Sequence, residues 1–189
     1  MIGSDDVWEI LDRLAASAIE VWLDGGWGVD ALLGEQTRAH DDLDLVIARS
    51  DCPAAQDALE PLGFEPAADI EPGLPARFVL RDSGDRRVDF HPVVFDELGN
   101  GWQELPDGSW GLYPAEGLRG VGSIARRRVL CLTPELQLRH HLGYEPGADD
   151  HHDMLRLAER FQLELPPPYD RKPHESPRLN HGQRPGGVQ

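Results

Sequence analysis

Two aspartates separated by a single residue, Asp42 and Asp44, lie in the run His40-Asp-Asp-Leu-Asp-Leu-Val-Ile47. In a strand, residues two apart project from the same face. Both carboxylates would then stand together while Leu43, Leu45 and Ile47 enter a core on the other side. Paired carboxylates repel each other, burial sharpens the repulsion, and a divalent cation with a preference for oxygen ligands removes it. Taken alone, the pair is better read as a solvated acidic edge. Two further features shift that balance. Val88-Asp89-Phe90 sets a lone acid between core-type residues of another strand, where solvation explains Asp89 poorly. Gly25-Gly26 falls between a strand and a helix, where glycines let the backbone approach a bulky ligand and a helix N-terminus offers unpaired N–H groups to phosphates. Turns also use Gly-Gly routinely. A third carboxylate on a neighbouring strand is what two-metal phosphoryl transfer requires, with ions roughly 3.5–4 Å apart clamping the attacking and leaving oxygens.

These side chains meet only if the flanking segments fold around them. Ser4 is placed to cap a helix with Val7, Ile10, Leu11, Leu14 and Ala18 on one face. Residues 20–23 read as a short strand that ends in Asp24-Gly25-Gly26. A second helix is expected from near Trp27, through Val29, Ala31, Leu32 and Leu33, to Gly34 as its terminator. After the strand that carries Asp42 and Asp44, Ser50 or Asp51 caps a third helix through Leu59 and Leu62, stopped by Gly63. Strands over 76–81 and 87–94, joined by Asp82-Ser-Gly-Asp85, form a hairpin. The stretch 96–120 is rich in Gly, Trp and Pro and reads mostly as loops with room for one short strand. Residues 129–132 read as a last strand. Pro134 suits the first turn of a helix through Leu136, Leu138 and His141, and a final helix over 149–161 turns Met154, Leu155, Leu157, Ala158 and Phe161 to a core. From Pro166 the chain turns to Pro, Arg, His and Gly, too little apolar surface to offset ordering entropy. The expected architecture is an α/β (α+β) catalytic domain over 1–132, a helical segment over 133–165, and a Pro-rich, disordered or loosely docked tail over 166–189.

Bulk properties narrow the chemistry further. The 189 residues are 40% apolar and carry a formal charge of -16, from 34 acidic and 18 basic side chains. That field repels phosphate backbones, so a general nucleic-acid-binding role is not expected. It fits a cationic, amine-bearing small molecule, although acidity also serves plain solubility. Cys52 and Cys131 are the only cysteines, which argues against a disulfide framework and against a zinc knuckle. The start lacks a signal-peptide pattern and no apolar run approaches a membrane span, so a cytoplasmic protein without a membrane partner is expected.

Several pieces, in order, resemble the antibiotic nucleotidyltransferases. They are Leu23-Asp-Gly-Gly-Trp-Gly-Val-Asp-Ala-Leu-Leu-Gly34, Thr37-Arg38, His40-Asp-Asp-Leu-Asp-Leu45, Val88-Asp-Phe-His-Pro92, Cys131-Leu-Thr-Pro-Glu135, His141-Leu-Gly-Tyr144 and Asp150-His-His-Asp153. The likeness is to small lincosamide nucleotidyltransferases first and aminoglycoside 2''-adenylyltransferases next, both within the DNA polymerase β-like superfamily, and it spans roughly residues 5–165. One departure is Gly26-Trp27, where the wider superfamily has Gly-Ser; the antibiotic branch shares the Gly-Trp form, and a Trp there packs under the loop. The resemblance implies a nucleotidyltransferase fold with a mixed β-sheet flanked by helices. It implies ATP or another NTP as co-substrate over Gly25 and Gly26, two Mg2+ ions held by Asp42, Asp44 and Asp89, and attack of an antibiotic's hydroxyl on the α-phosphorus. Asp89 is either a ligand or the base that takes the hydroxyl proton. Relatives of this kind often pair, so a homodimer is possible.

Other residues carry weaker expectations. Arg38 and His40, just ahead of the paired acids, either touch the triphosphate and orient Asp42 or are a loop arginine and a supporting histidine. Asp30 suits the positive end of its helix, with substrate contact second. His91 shares a face with Asp89, with packing beside Pro92 as the alternative. Asp153 could reach the substrate cleft from a cluster, 149–153, whose main role is helix-start capping. Tyr144 is core or cleft wall. Besides an antibiotic, the acceptor could be a metabolite, tRNA or protein, tRNA being disfavoured by charge. A non-catalytic binding or toxin–antitoxin module is the remaining class, and the presence of all three acids speaks against it.

Overall fold

Helix α1 (Ser4–Ala16) buries Val7, Ile10, Leu11 and Leu14, the positions its apolar spacing marks out. Ser4 is its first residue rather than its cap; the Gly3 N–H is taken by Asp6 at 2.8 Å. The computed structural model that shows this describes residues 1–70 and 73–170. Strand β1 (Val21–Leu23) leads into helix α2 (Gly25–Leu33), whose N-cap Asp24 accepts the Gly25 N–H at 2.8 Å. The helix therefore starts two residues earlier than its pattern suggested, and Gly25-Gly26 form its first turn. Strand β2 (Asp42–Ala48) and helix α3 (Cys52–Leu59) follow, and Gly63 stops the chain's turning at φ 84.

Strands β3 (Glu65–Pro66), β4 (Phe78–Arg81) and β5 (Arg87–Phe95) come next. β4 and β5 make the expected hairpin, and Asp82 braces its turn by accepting from the Gly84 and Arg86 N–H groups and from Arg86 Nε. The region expected to be mostly loops holds a second hairpin, β6 (Gly101–Glu104) with β7 (Trp110–Tyr113). Gly99 and Gly108 serve its turns, both with φ 81, whereas Gly101 and Gly111 lie in the strands themselves. Strands β8 (Gly120–Ile124) and β9 (Arg127–Cys131) form a third, turning through Ala125 and Arg126 at positive φ. Of the three consecutive arginines 126–128, the first lies in the turn and the others in β9, and Arg127 lies 3.7 Å from the Trp8 ring centre and pairs with Asp12. Helices α4 (Pro134–His140) and α5 (Ala148–Phe161) close the fold.

The strands make one mixed sheet in the order β3-β4-β5-β2-β1-β9-β8, with β6 and β7 extending from β5. β2 runs parallel to β5 and β1 to β9; the other neighbours are antiparallel. The main core joins α1 and α3 to the sheet face that carries Leu43, Leu45, Ile47, Val88 and Phe90. The opposite face carries Asp42 and Asp44 and, further along, a small cluster of Trp22, Val46, Tyr113 and Leu136. A third cluster packs Met154 and Leu157 of α5 against Val29 of α2. The start of the Pro-rich tail joins it: Tyr169 is 2% exposed and donates to the His141 carbonyl at 2.7 Å. The tail beyond residue 170 lies outside the described residues. Among the described residues no helix is long and apolar enough to cross a membrane.

Candidate active site

The parallel register of β2 on β5 sets Asp44 beside Asp89, Asp42 beside Arg87 and Val46 beside His91. Side chains directly across a ladder share a face, so one stretch of sheet presents three carboxylates and an imidazole. One ligand atom each from Asp44, Asp89 and His91 lies within 4.8 Å of the other two. Asp42 stands one step along on the same face, outside that tight group, where Arg87 faces it. His91, expected only to be near, is thus the third member.

Burial and mutual repulsion raise these acids, and the chain's own cations offset that only in part. Burial and then the Asp44 carboxylate raise the Asp42 carboxyl above its ordinary range. Burial raises Asp89 too, against a lowering hydrogen bond from Arg77. Burial opposes charge on His91, yet the Asp44 hydrogen bond (3.3 Å) and the charges of Asp44, Asp24 and Asp89 raise the imidazole to about 9. Clustered oxygen donors with unbalanced negative charge, plus one imidazole, fit a hard divalent cation such as magnesium.

Arg77, which no sequence pattern singles out, is the most intimate partner of these acids. Its Nε donates to Asp89 Oδ1 at 2.7 Å and its Nη2 pairs with Asp89 Oδ2, so both oxygens of Asp89 are taken. The segment that carries it is anchored by Gln103, whose amide donates to the Ala76 carbonyl at 2.8 Å and lies 3.4 Å from His91 Nδ1. Tyr113 in turn donates to Gln103 Oε1 at 3.1 Å.

Glycine at 25 is dictated by the same acids. Gly25 has φ 55, and a Cβ there would run into the Asp44 carboxylate. A Cβ on Gly26 would run into the Arg38 and His40 side chains. Above these residues opens a cleft of about 590 Å³. Its floor is Asp44, His91 and the first turn of α2, and its far wall is His140, Tyr144 and Asp150. Asp24 lies on that floor; burial alone would raise its carboxyl, but His140, His91 and the Gly25 N–H outweigh it and leave it below the usual range. Tyr144, left open between core and wall, is a half-exposed part of the wall and donates to Asp150 at 2.9 Å.

Four expected site residues face elsewhere. Arg38 clamps Asp153 through three contacts of 2.7–3.1 Å, and Asp153 is 1% exposed. A buried carboxylate without a partner is costly, so Asp153 claims the arginine expected near the triphosphate and does not itself reach the cleft. His40 lies 2.5 Å from Asp30, which also accepts from the Thr37 N–H and hydroxyl. Trp27, buried, packs against the His40 ring at a tilt of 39°, with centroids 4.7 Å apart. None of Asp30, Arg38, His40 and Asp153 lines the cleft. They brace the first turn of α2 from behind.

A mixed sheet with adjacent acids on parallel strands, beside a glycine-started helix, is the architecture of a nucleotidyltransferase fold. Known proteins agree. The model of the aminoglycoside-2''-adenylyltransferase family matches residues 6–157. A lincosamide resistance protein of Staphylococcus haemolyticus is 29% identical over 157 residues, covering 82% of this chain and 94% of that protein. A 2''-aminoglycoside nucleotidyltransferase of Klebsiella pneumoniae is 30% identical over 158 residues, covering 80% of this chain and 83% of its own length. The lincomycin-bound crystal structure of the lincosamide antibiotic adenylyltransferase LnuA superposes with a TM-score of 0.73 at 28% identity, over 82% of this chain and 96% of that one. The chain belongs to the aminoglycoside-2''-adenylyltransferase family, and it is a nucleotidyltransferase enzyme.

Proposed function

We propose that this enzyme transfers a nucleoside monophosphate, AMP from ATP or its equivalent from another NTP, to a hydroxyl of a small antibiotic of the lincosamide or aminoglycoside kind. The product is an inactivated drug and a resistant cytoplasm. The observation that carries the reading is the pairing of Asp44, which lines a cleft large enough for a drug-sized acceptor, with Asp89 buried directly beside it.

Asp44 and Asp89 would hold magnesium, with Asp42 adjoining and His91 completing the donor set. Magnesium bound there would supply charge neutralisation for the triphosphate and its departing pyrophosphate. Gly25 and Gly26, in the first turn of α2, line the same cleft, and a helix N-terminus suits phosphate oxygens. Asp89 either completes the metal shell or takes the proton of the attacking hydroxyl; burial raises its carboxyl, which favours the second role. The acceptor oxygen bonds to the α-phosphorus as the bond to pyrophosphate breaks. Positioning and charge provide the acceleration, as in phosphoryl transfer generally. Asp150 and Tyr144 on the far wall suit an acceptor that carries amines and hydroxyls.

The test is incubation of the purified protein with ATP, magnesium and a panel of lincosamides and aminoglycosides, read by mass spectrometry and pyrophosphate release. A nucleotidyl adduct on a drug, lost in Asp44→Asn, is the expected result. Turnover only on a metabolite or protein, or binding without turnover, refutes it.

A further inference from the structure

Asp89 presents a difficulty for any account of its chemistry. It is 4% exposed and both its oxygens are engaged by the Arg77 fork. Each oxygen keeps a further lone pair, but with its charge met by the fork the carboxylate is a weak ligand and a weak base. Asp89 reaches its full strength in either role once Arg77 lets go.

Arg77 is built to let go. It precedes β4 rather than lying in it, so no ladder fixes its side chain, which is 31% exposed. Its backbone is held from the other side, through the Gln103 bond to the Ala76 carbonyl, so the guanidinium can swing without carrying the segment away. Arg77 also feels the charges of Asp44 and Asp42 in addition to Asp89. The guanidinium thus supplies the positive charge that three carboxylates demand.

We propose that Arg77 is a displaceable counter-cation. It clamps Asp89 until a divalent cation binds, then turns its guanidinium to the nucleotide's phosphates. The inference rests on reading Asp44 and Asp89 as cation ligands. A freed guanidinium at the rim of an acidic site needs an anion, and phosphate oxygens match its fork. The neighbouring free carboxylates do not compete, because the arriving ion takes them.

The test uses the intact protein and two equilibrium measurements. The first is Mn2+ affinity without nucleotide, by electron paramagnetic resonance. The second is affinity for a non-hydrolysable ATP analogue at saturating Mn2+, by calorimetry. Arg77→Gln removes the competitor, so Mn2+ binds about 10-fold tighter, the scale of one charge-assisted fork. The same change removes a phosphate partner, so the analogue binds about 10-fold more weakly. Arg77→Lys, which keeps the charge and loses the fork, falls between. Arg81→Gln, which lowers the charge equally but breaks only a surface pair with Asp69, leaves both affinities within about twofold. Opposite signs from one substitution separate this role from a structural one. A residue that merely positions Asp89 would weaken both affinities when removed, and that result overturns the proposal. So does an unchanged Mn2+ affinity in Arg77→Gln while Asp89→Asn abolishes binding. Absence of Mn2+ binding in the unaltered protein would instead bring down the reading of the acids as ligands, and this inference with it.

Discussion

Gly25 and Gly63 offer a matched pair of substitutions. Both occupy positive φ, 55 and 84, where a side chain costs about 1–2 kcal/mol. Nothing lies within 4 Å of the place a Cβ would take at Gly63, so Gly63→Ala carries that strain alone. At Gly25 the new methyl would enter the Asp44 carboxylate, with Asp44 Cγ at 2.9 Å and Cβ at 3.2 Å. Contact with the Cβ means that rotating the carboxylate tip is not enough; β2 or the first turn of α2 must shift. Overpacking of that kind adds about 1–3 kcal/mol. Gly63→Ala should therefore cost about 1–2 kcal/mol and Gly25→Ala about 2–5 kcal/mol, by urea unfolding. In a chain of this size that lowers Tm by roughly 2–8 °C and 4–20 °C. Mn2+ affinity separates them further, falling on the order of 10-fold or more in Gly25→Ala, because Asp44 is the displaced group, and staying within about twofold in Gly63→Ala. Equal destabilisation with unchanged Mn2+ affinity in both would refute the claim that glycine at 25 exists to make room for Asp44.

Arg38→Met should cost about 3 kcal/mol in urea unfolding, since it strands the buried Asp153 carboxylate. Arg38→Met combined with Asp153→Leu should cost clearly less than Arg38→Met alone, and an equal or larger loss would deny the pairing its importance. Burial holds the Cys52 thiol at about 11 and the Cys131 thiol at about 12, so an aromatic disulfide reagent at pH 8 should titrate neither until denaturant exposes both. Asp96 is held down to about 2, first by Trp102, then by Asn100. Its folded form prefers the charged carboxylate, so its stabilisation is full above 3.8 and is lost as pH falls toward 2. The Tm gap between the parent and Asp96→Asn should close across that window.

The sequence carried the site's core but not its surroundings, for physical reasons. Asp42 and Asp44 could be read because strand alternation is a local rule. Asp89 could be read because an acid between Val88 and Phe90 is anomalous wherever the strand goes. Arg77, Gln103, Tyr113 and His140 are each ordinary in their own segments, and only the register of β4, β5 and β6 and the docking of α4 bring them in. For Arg38 and His40 the sequence left two roles open, because nearness to the acids does not fix direction: the chain sends both side chains away from the cleft, to meet Asp153, 115 residues away, and Asp30. The β6–β7 hairpin was hidden because its strands are four residues each and its turns dominate the composition.

What emerges is a site in which the chain answers its own charges. Asp24 faces His140 at 3.5 Å, Asp44 faces His91 at 3.3 Å, Asp89 is clamped by Arg77, and Asp42 lies beside Arg87. Four carboxylates gathered without cations would push the sheet apart; these need no bound ion to stay together. The fold should therefore tolerate chelator. In EDTA the protein should unfold in one cooperative transition. Millimolar magnesium should raise Tm by only a few degrees, because a ligand present at about ten times its Kd adds roughly 1.4 kcal/mol. A broad, uncooperative melt in EDTA would show that the metal builds the site, and that the chain's own cations do not.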